Sequence, residues 1–291
     1  MKSGVKIFFI FVSAPALPAM NEFYWFYQRT RFHGINWIPA SFGRVMIIVH
    51  GIGEHTGRYD HVASFFMKEG YAVIGIDHYG HGRSDGAKGA SRGFAFMFDY
   101  LQSFVRYVED TYRKPVVMYG HSMGGGVLTG FLLRRQPVIL AAVISAPALI
   151  IGMRPGGFLK GVLKMASAIA PNLRINQGLD LNKISHDKSE VEKFRADPLR
   201  HGKLSLRLAN DMISNGAWCL EHAAELCVPC LLIHGNADEF TAVEGSRLFA
   251  VRAPSALLTY REWEGMYHEM HNEPAKRDIL LFIAGWLSNV R

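Results

Sequence analysis

The sequence predicts an α/β protein: a mostly parallel central sheet, opened by an antiparallel hairpin and interrupted by an inserted helical cap. Three observations point there. Short aliphatic or β-branched runs alternate with longer stretches of helical spacing, the signature of β-α-β units. Many of these runs end in glycine or a loop-forming residue, as at His50-Gly51, Asp77, Gly120, Ser145 and His234-Gly235. The alternation lapses between about Ala148 and Ala217, and resumes afterwards.

The elements follow in order. Phe23 to Tyr27 and Phe32 to Ile38 flank the polar Gln28-Arg29-Thr30-Arg31, which suits a hairpin. Strands are expected at Val45–Val49, Ala72–Ile76, Val116–Tyr119, Ala141–Ile144, Leu231–Ile233 and Leu257–Tyr260. Helical spacing fills Val62–Glu69, Phe98–Tyr112 and Gly126–Arg135 between them. In the interrupted stretch, Phe158, Leu159, Val162, Ala166 and Ile169 share one helical face, while Asn182 to Ala209 is polar, helix-like and broken at Asp197-Pro198. Residues 21–147 and 218–291 are therefore read as the core, 148–217 as a helical cap over the strand ends, and 1–20 as an N-terminal extension or signal-like segment.

Composition removes several classes of function. The chain has 291 residues, 49% hydrophobic and 20% charged, which supports a sizeable core and excludes a disordered chain. The net charge of +7 is scattered without a dense basic run, so no nucleic-acid partner is expected. Cys219, Cys227 and Cys230 cannot all pair. Cys227-Val-Pro-Cys230 matches a redox spacing, but Cys230 opens an apolar strand-like run instead of a helix, and all three read as packing residues. Lys2 and Lys6, the apolar Ile7–Val12 and Ala14-Pro15-Ala16 resemble a short signal peptide. Two readings follow: a cytoplasmic protein with an inconsequential extension before Met20, or an exported one. No apolar run reaches the roughly twenty residues of a membrane span.

The most informative segment is Val116-Val-Met-Tyr-Gly120-His-Ser122-Met-Gly124-Gly125. It sets G-x-S-x-G between a strand and a helix, the setting of a nucleophile elbow. Such a turn leaves no room for side chains at Gly120 and Gly124 and lifts the Ser122 hydroxyl into the open. The helix that follows favours negative charge at its start. A serine at its free pKa needs a base, and the base an orienting acid. In this arrangement the chain order is serine, acid, histidine, which discards His50, His55, His78 and His81 and disfavours His121. Asp238 follows the strand Leu231–Ile233 and is the candidate acid, with Glu239 its rival. His268 follows the strand Leu257–Tyr260 and is the candidate base, with His271 its rival. Acyl transfer also needs donors for a developing oxyanion. The backbone amides of Met123 and, from the glycine-rich His50-Gly51-Ile52-Gly53, of Ile52 are the candidates.

Taken together, these segments resemble the monoacylglycerol lipase family, also called lysophospholipase-like, of the α/β-hydrolase fold. The resemblance is carried by His50-Gly-Ile-Gly-Glu-His55, Asp77-His-Tyr-Gly-His-Gly-Arg-Ser-Asp-Gly86, Gly120 to Gly125, His234-Gly-Asn-Ala-Asp238, Tyr267-His268-Glu269 with Asn272-Glu273, and Asp197-Pro-Leu199. It runs from about Asn21 to the end. It implies the same triad, Ser122, Asp238 and His268, and an oxyanion hole from the amides of Ile52 and Met123. Family members often carry a small residue where Ile52 stands, so an isoleucine there narrows the acyl channel. Asp77 to Gly86 is expected to be architecture behind the site, with Glu54, His55 and Arg58 bracing the oxyanion loop.

The expected activity is hydrolysis of a lipid carboxylic ester, a monoacylglycerol giving fatty acid and glycerol through an acyl-enzyme. The alternatives are a lysophospholipase or short-chain carboxylesterase of the same fold. No cofactor, metal or obligatory protein partner is expected. The helix near Phe158–Ala170 has two readings: its apolar face packs on the cap or sheet, or it rests on a membrane surface with Lys160 and Lys164.

Overall fold

The computed structural model describes residues 20–152 and 157–290, with the backbone alone for residues 157–160. The N-terminal extension lies, but for Met20, outside the described residues. Eight strands form one sheet in the order β1-β2-β4-β3-β5-β6-β9-β10. They are β1 (Met20–Tyr27), β2 (Thr30–Trp37), β3 (Arg44–Val49), β4 (Tyr71–Ile76), β5 (Val116–His121), β6 (Ala141–Ser145), β9 (Cys230–Gly235) and β10 (Leu258–Trp263). β1 and β2 run antiparallel, as the hairpin pattern predicts, β2 also pairs antiparallel with β4, and β4-β3-β5-β6-β9-β10 pair in parallel with one another. The hairpin turn is tighter than its polar tetrad suggests: Thr30 and Arg31 already belong to β2, and Gln28 makes the turn at φ 53°.

Parallel strands buried on both faces need apolar residues at successive positions, which is why their runs are continuous. Along β3, Val45, Ile47 and Val49 face one core with Phe104, Leu128 and Phe131. Met46 and Ile48 face the other, with Tyr59, Phe66 and Ile283. The helices supplying these layers are α1 (Asp60–Lys68), α2 (Phe94–Tyr112), α3 (Met123–Arg135), α7 (Val243–Arg252) and α8 (Lys276–Ser288). The registers pair Val49 with Gly120, Gly120 with Ile144, and Ser145 with Ile233. The carboxyl ends of β3, β5, β6 and β9 thus form one row, and the loops leaving them meet above it.

The segment over this row contains α4 (Gly157–Ile169), α5 (Lys188–Ala196) and most of α6 (Leu206–Glu221). The polar stretch read as one broken helix resolves into α5 and the first turn of α6. Asp187 caps α5 by accepting from Ser189 N, and Ser205 caps α6 by accepting from Leu208 N. Between the two helices runs β8 (Lys203–Ser205), antiparallel to β7 (Arg174–Asn176). Three-residue strands with mostly exposed side chains carry too little pattern to be seen in the sequence. α6 continues past residue 217 onto α3, where Asn215 Nδ2 donates to Gly126 O at 2.8 Å. On α4, Val162, Met165 and Ile169 are exposed at 38%, 62% and 78%, while Leu163 and Ala166 are half-buried and the helix packs on α6.

Candidate active site

Ser122 sits between the last residue of β5 and the first of α3, at φ 56° and ψ −121°. That conformation is costly for a residue with a Cβ and persists only where its surroundings enforce it. They do so through close approach. A Cβ on Gly124 would lie 2.1 Å from Val49 O and 2.4 Å from His50 O, and one on Gly120 2.8 Å from Gly124 O. The elbow is therefore pressed onto the end of β3, which places Ser122 beside the loop that β3 feeds.

Asp238 lies in the loop after β9, and His268 in the loop after β10. His268 Nε2 is 2.8 Å from Ser122 Oγ, and His268 Nδ1 is 2.6 Å from Asp238 Oδ2. The three candidates chosen for chain order and strand ends are thus brought together in the expected sequence. Their side chains are nearly closed to solvent, with Ser122 7% and His268 5% exposed. Both rivals are placed elsewhere. Glu239 pairs with Lys183 at 2.7 Å, and His271 is buried with Nδ1 3.4 Å from Tyr119 Oη.

The carboxylate of Asp238 is held from every side. Oδ1 accepts from Phe240 N at 2.7 Å and Thr241 N at 3.1 Å; Oδ2 accepts from Thr241 Oγ1 at 2.7 Å. His234 Nε2 is 3.1 Å from the same Oδ2, while its Nδ1 engages Ser246 Oγ at 2.7 Å. Burial pushes the Asp238 carboxyl up, but the adjacent His268 and these hydrogen bonds outweigh it and hold the group well below the usual carboxylate range. Burial likewise pushes His268 down, and the charge and hydrogen bond of Asp238, helped by Glu269 and Glu54, turn the balance and raise it above its ordinary value. His121 is opposite in kind: burial, then His268, push it down to about 3, so the neighbour of Ser122 stays neutral.

The loop after β3 is braced as expected. Glu54 Oε1 accepts from Gly51 N and from Tyr59 Oη, and Oε2 from Arg58 Nη1 at 2.6 Å. Arg58 also reaches Glu269, next to His268, with two hydrogen bonds of 2.7 Å. His55 Nε2 is 2.7 Å from Asp197 Oδ2, and Gly53 O accepts from His201 N at 2.9 Å. The loop carrying Ile52 is therefore tied to the histidine loop on one side and to the cap on the other. With the Gly51 amide taken by Glu54, the Ile52 amide is the next donor along. Met123 heads α3, where the first amides have no partner within the helix.

Asp77 behaves as architecture. It accepts from Thr56 N, Arg83 N and His33 Nδ1 at 2.9 to 3.0 Å, joining strand β2 to the segments after β3 and β4 behind the site. His50 and His78, discarded by chain order, are buried against each other, with His50 Nε2 accepting from His78 N at 2.8 Å. Sequence reasoning missed His234 and Thr241 as supports of Asp238, and His201 and Asp197 as the residues that hold the loop of Ile52 from the segment above it. The signals present were the nearness of His234 and Thr241 to Asp238 in the chain and the place of Asp197 in the Asp197-Pro-Leu199 motif; His201 had none.

Above Ser122 opens a cavity of about 330 Å³. Ile52, Ile151, Leu179, Ile184, Phe194, Leu204, Met212 and Phe240 supply its apolar wall. The carboxylates at its edge, Glu54, Glu239 and Glu269, are each paired with Arg58 or Lys183. Cys219 and Cys230 are buried free thiols, as their reading as packing residues requires, whereas Cys227 is exposed and is not a packing residue. Among the described residues no cluster of three or more His, Cys, Asp or Glu is placed to hold a metal ion, and no helix is long and apolar enough to cross a membrane.

A mostly parallel sheet of this order, with a serine on the strand-to-helix turn at its centre, defines an α/β-hydrolase. The chain belongs to the family described as serine aminopeptidase, S33, which matches residues 41–275. A monoacylglycerol lipase from Mycolicibacterium smegmatis is 34% identical over 254 residues, 86% of this chain and 90% of the relative. A human monoglyceride lipase is 31% identical, over 81% of this chain and 79% of its own length. The crystal structure of a monoacylglycerol lipase from Paleococcus ferrophilus superimposes with a TM-score of 0.80 and 28% identity, covering 88% of this chain and 98% of that one. The resemblance read from the motifs is borne out by these relatives.

Proposed function

We propose that this protein hydrolyses monoacylglycerols to fatty acid and glycerol, with Ser122 as nucleophile, His268 as general base and acid, and Asp238 as the group that orients His268. The observation that carries it is the unbroken line from Asp238 through His268 to Ser122 at the floor of an apolar cavity.

In the first half-reaction Ser122 Oγ attacks the ester carbonyl while His268 Nε2 takes its proton. Negative charge develops on the carbonyl oxygen, and the amides of Ile52 and Met123 stabilise it, each donor contributing roughly 3 kcal/mol. His268 then protonates the departing glycerol oxygen, leaving an acyl-Ser122 ester. In the second half, water gives its proton to His268 and attacks that ester. Collapse returns the proton to Ser122 and releases the fatty acid. Asp238 keeps Nδ1 protonated, so that Nε2 is free to accept, and stabilises the imidazolium formed on the way.

The cap, residues 148–217, is proposed to enclose the acyl chain. An apolar wall suits a hydrocarbon, with about 0.8 kcal/mol for each methylene buried. A positively charged substrate amine is less suited, because the carboxylates at the cavity edge already have cationic partners. The exposed Val162, Met165 and Ile169 of α4, beside Lys164, support contact of the cap with the surface that holds such lipids. Initial rates on monoacylglycerols of increasing chain length, beside a lysophospholipid and a short-chain ester, test the assignment. kcat/KM should rise up to about fourfold per methylene until the cavity is full. A preference for the lysophospholipid or for the shortest ester contradicts it.

A further inference from the structure

Away from the cavity, a second cleft of about 540 Å³ lies where the loop 79–92 meets the cap segments around residues 172–174 and 207. Arg92, Arg174 and Arg207 line it with Asn172, Ser91 and Tyr79, and no carboxylate lines it. We infer that this cleft is a binding site for a phosphoryl group, carried either by a phospholipid headgroup or by free phosphate.

The side chains of Arg92 and Arg174 are exposed and hydrogen-bond only to neutral groups, while Arg207 is half-buried and its charge acts on Asp211, one turn further along α6. Arg92 stacks on the Phe96 ring at 3.9 Å and donates to Thr30 Oγ1; Arg174 donates to Lys88 O at 3.2 Å. Among the described residues none of the three forms an ion pair. Arg207 Nε is buried and has no hydrogen-bond partner. A buried donor left without a partner is costly. One ligand chemistry engages it together with the exposed guanidinium groups of Arg92 and Arg174: a tetrahedral oxyanion, whose several acceptor oxygens match guanidinium forks. Asn172, Ser91 and Tyr79 add an amide and two hydroxyls at the same place. The cleft also adjoins the cap's apolar ridge. Leu173, between Asn172 and Arg174, is 57% exposed, and Ile175 is 45% exposed. A lipid surface meeting that ridge would bring headgroup phosphates to the cleft. The site goes beyond the proposed ester hydrolysis, since none of these residues touches Ser122, Asp238 or His268.

The test uses the full chain and two probes: inorganic phosphate by calorimetry, and co-sedimentation with phosphatidylcholine vesicles with or without phosphatidic acid. The R174Q/R207Q double variant is compared with wild type and with a charge-matched R106Q/K114Q control. Turnover of a soluble short-chain ester reports folding and should be unchanged in all three. Wild type and control should bind the vesicles containing phosphatidic acid, with R174Q/R207Q about tenfold weaker, the loss expected for charge-assisted hydrogen bonds. Phosphate binding that is lost in R174Q/R207Q and competes with the vesicles assigns the site to phosphate in either form. Vesicle binding lost in R174Q/R207Q but insensitive to phosphate assigns it to the headgroup. Equal binding by R174Q/R207Q and the control, or no binding of either probe by wild type, overturns the inference whatever the ester turnover.

Discussion

Arg58 and Glu269 form a two-pronged ion pair, 2.7 Å on each arm, in the interior and one residue from His268. The same guanidinium holds Glu54, which holds the Gly51 amide, and Phe194 of α5 covers it at 4.3 Å. One arginine thus connects the loop carrying the Ile52 amide to the loop carrying the base, under the cap. Removing it leaves two buried carboxylates without their cation. Arg58→Gln should cost about 3–5 kcal/mol in urea denaturation, the range for breaking one side of a buried pair. In the fraction that remains folded, kcat should fall with little change in KM, because the donor and base are misplaced while the acyl wall is intact. An equal rise in KM would mean that Arg58 serves substrate binding instead.

The pH profile follows from the same neighbours. His268 must be neutral to accept a proton, and its pKa is raised from 6.5, so kcat/KM should fall as pH drops through a value above 6.5. Glu269 is one of the groups that raise it, so Glu269→Gln should move this acid limb towards lower pH. The pH dependence of kcat/KM for wild type and variant checks both the position and the direction. A limb that moves upward would contradict the electrostatic account.

The elbow gives a prediction about space. Gly124→Ala places a Cβ 2.1 Å from Val49 O, a backbone atom that cannot step aside without moving β3. Overpacking of this kind costs about 1–3 kcal/mol, and turnover of a soluble ester should fall with it, because β3 leads to the loop of Ile52. Gly161 on α4 makes the contrast: nothing lies within 4 Å of a Cβ there. Gly161→Ala should leave turnover unchanged and stabilise by about 0.5–1 kcal/mol. Equal urea midpoints for the two variants would refute the close-approach argument.

The sheet and the three residues of the proposed triad were legible because their signals are local. Each central strand is a short apolar run, and Ser122, Asp238 and His268 each follow such a run at its carboxyl end. The elbow adds glycines whose purpose is visible from spacing alone. The supports of the site were legible only in part, because they join residues distant in the chain. Arg58 and Glu269 are 211 positions apart, and His55 and Asp197 are 142 apart. Nothing in the spacing of either pair marks it. The cap was readable as an interruption, whereas its internal order was not. β7 and β8 are too short for a period-two pattern, and α6 turns from cap to core without any break in its helical spacing.

The central claim is that acyl transfer runs through the Ser122 hydroxyl. Its most direct measurement is the steady-state rate of monoacylglycerol hydrolysis by wild type and by Ser122→Ala, with equal urea midpoints confirming that both are folded. The account predicts a loss of about 10⁴-fold or more in kcat. Hydrolysis by Ser122→Ala within tenfold of wild type would contradict it.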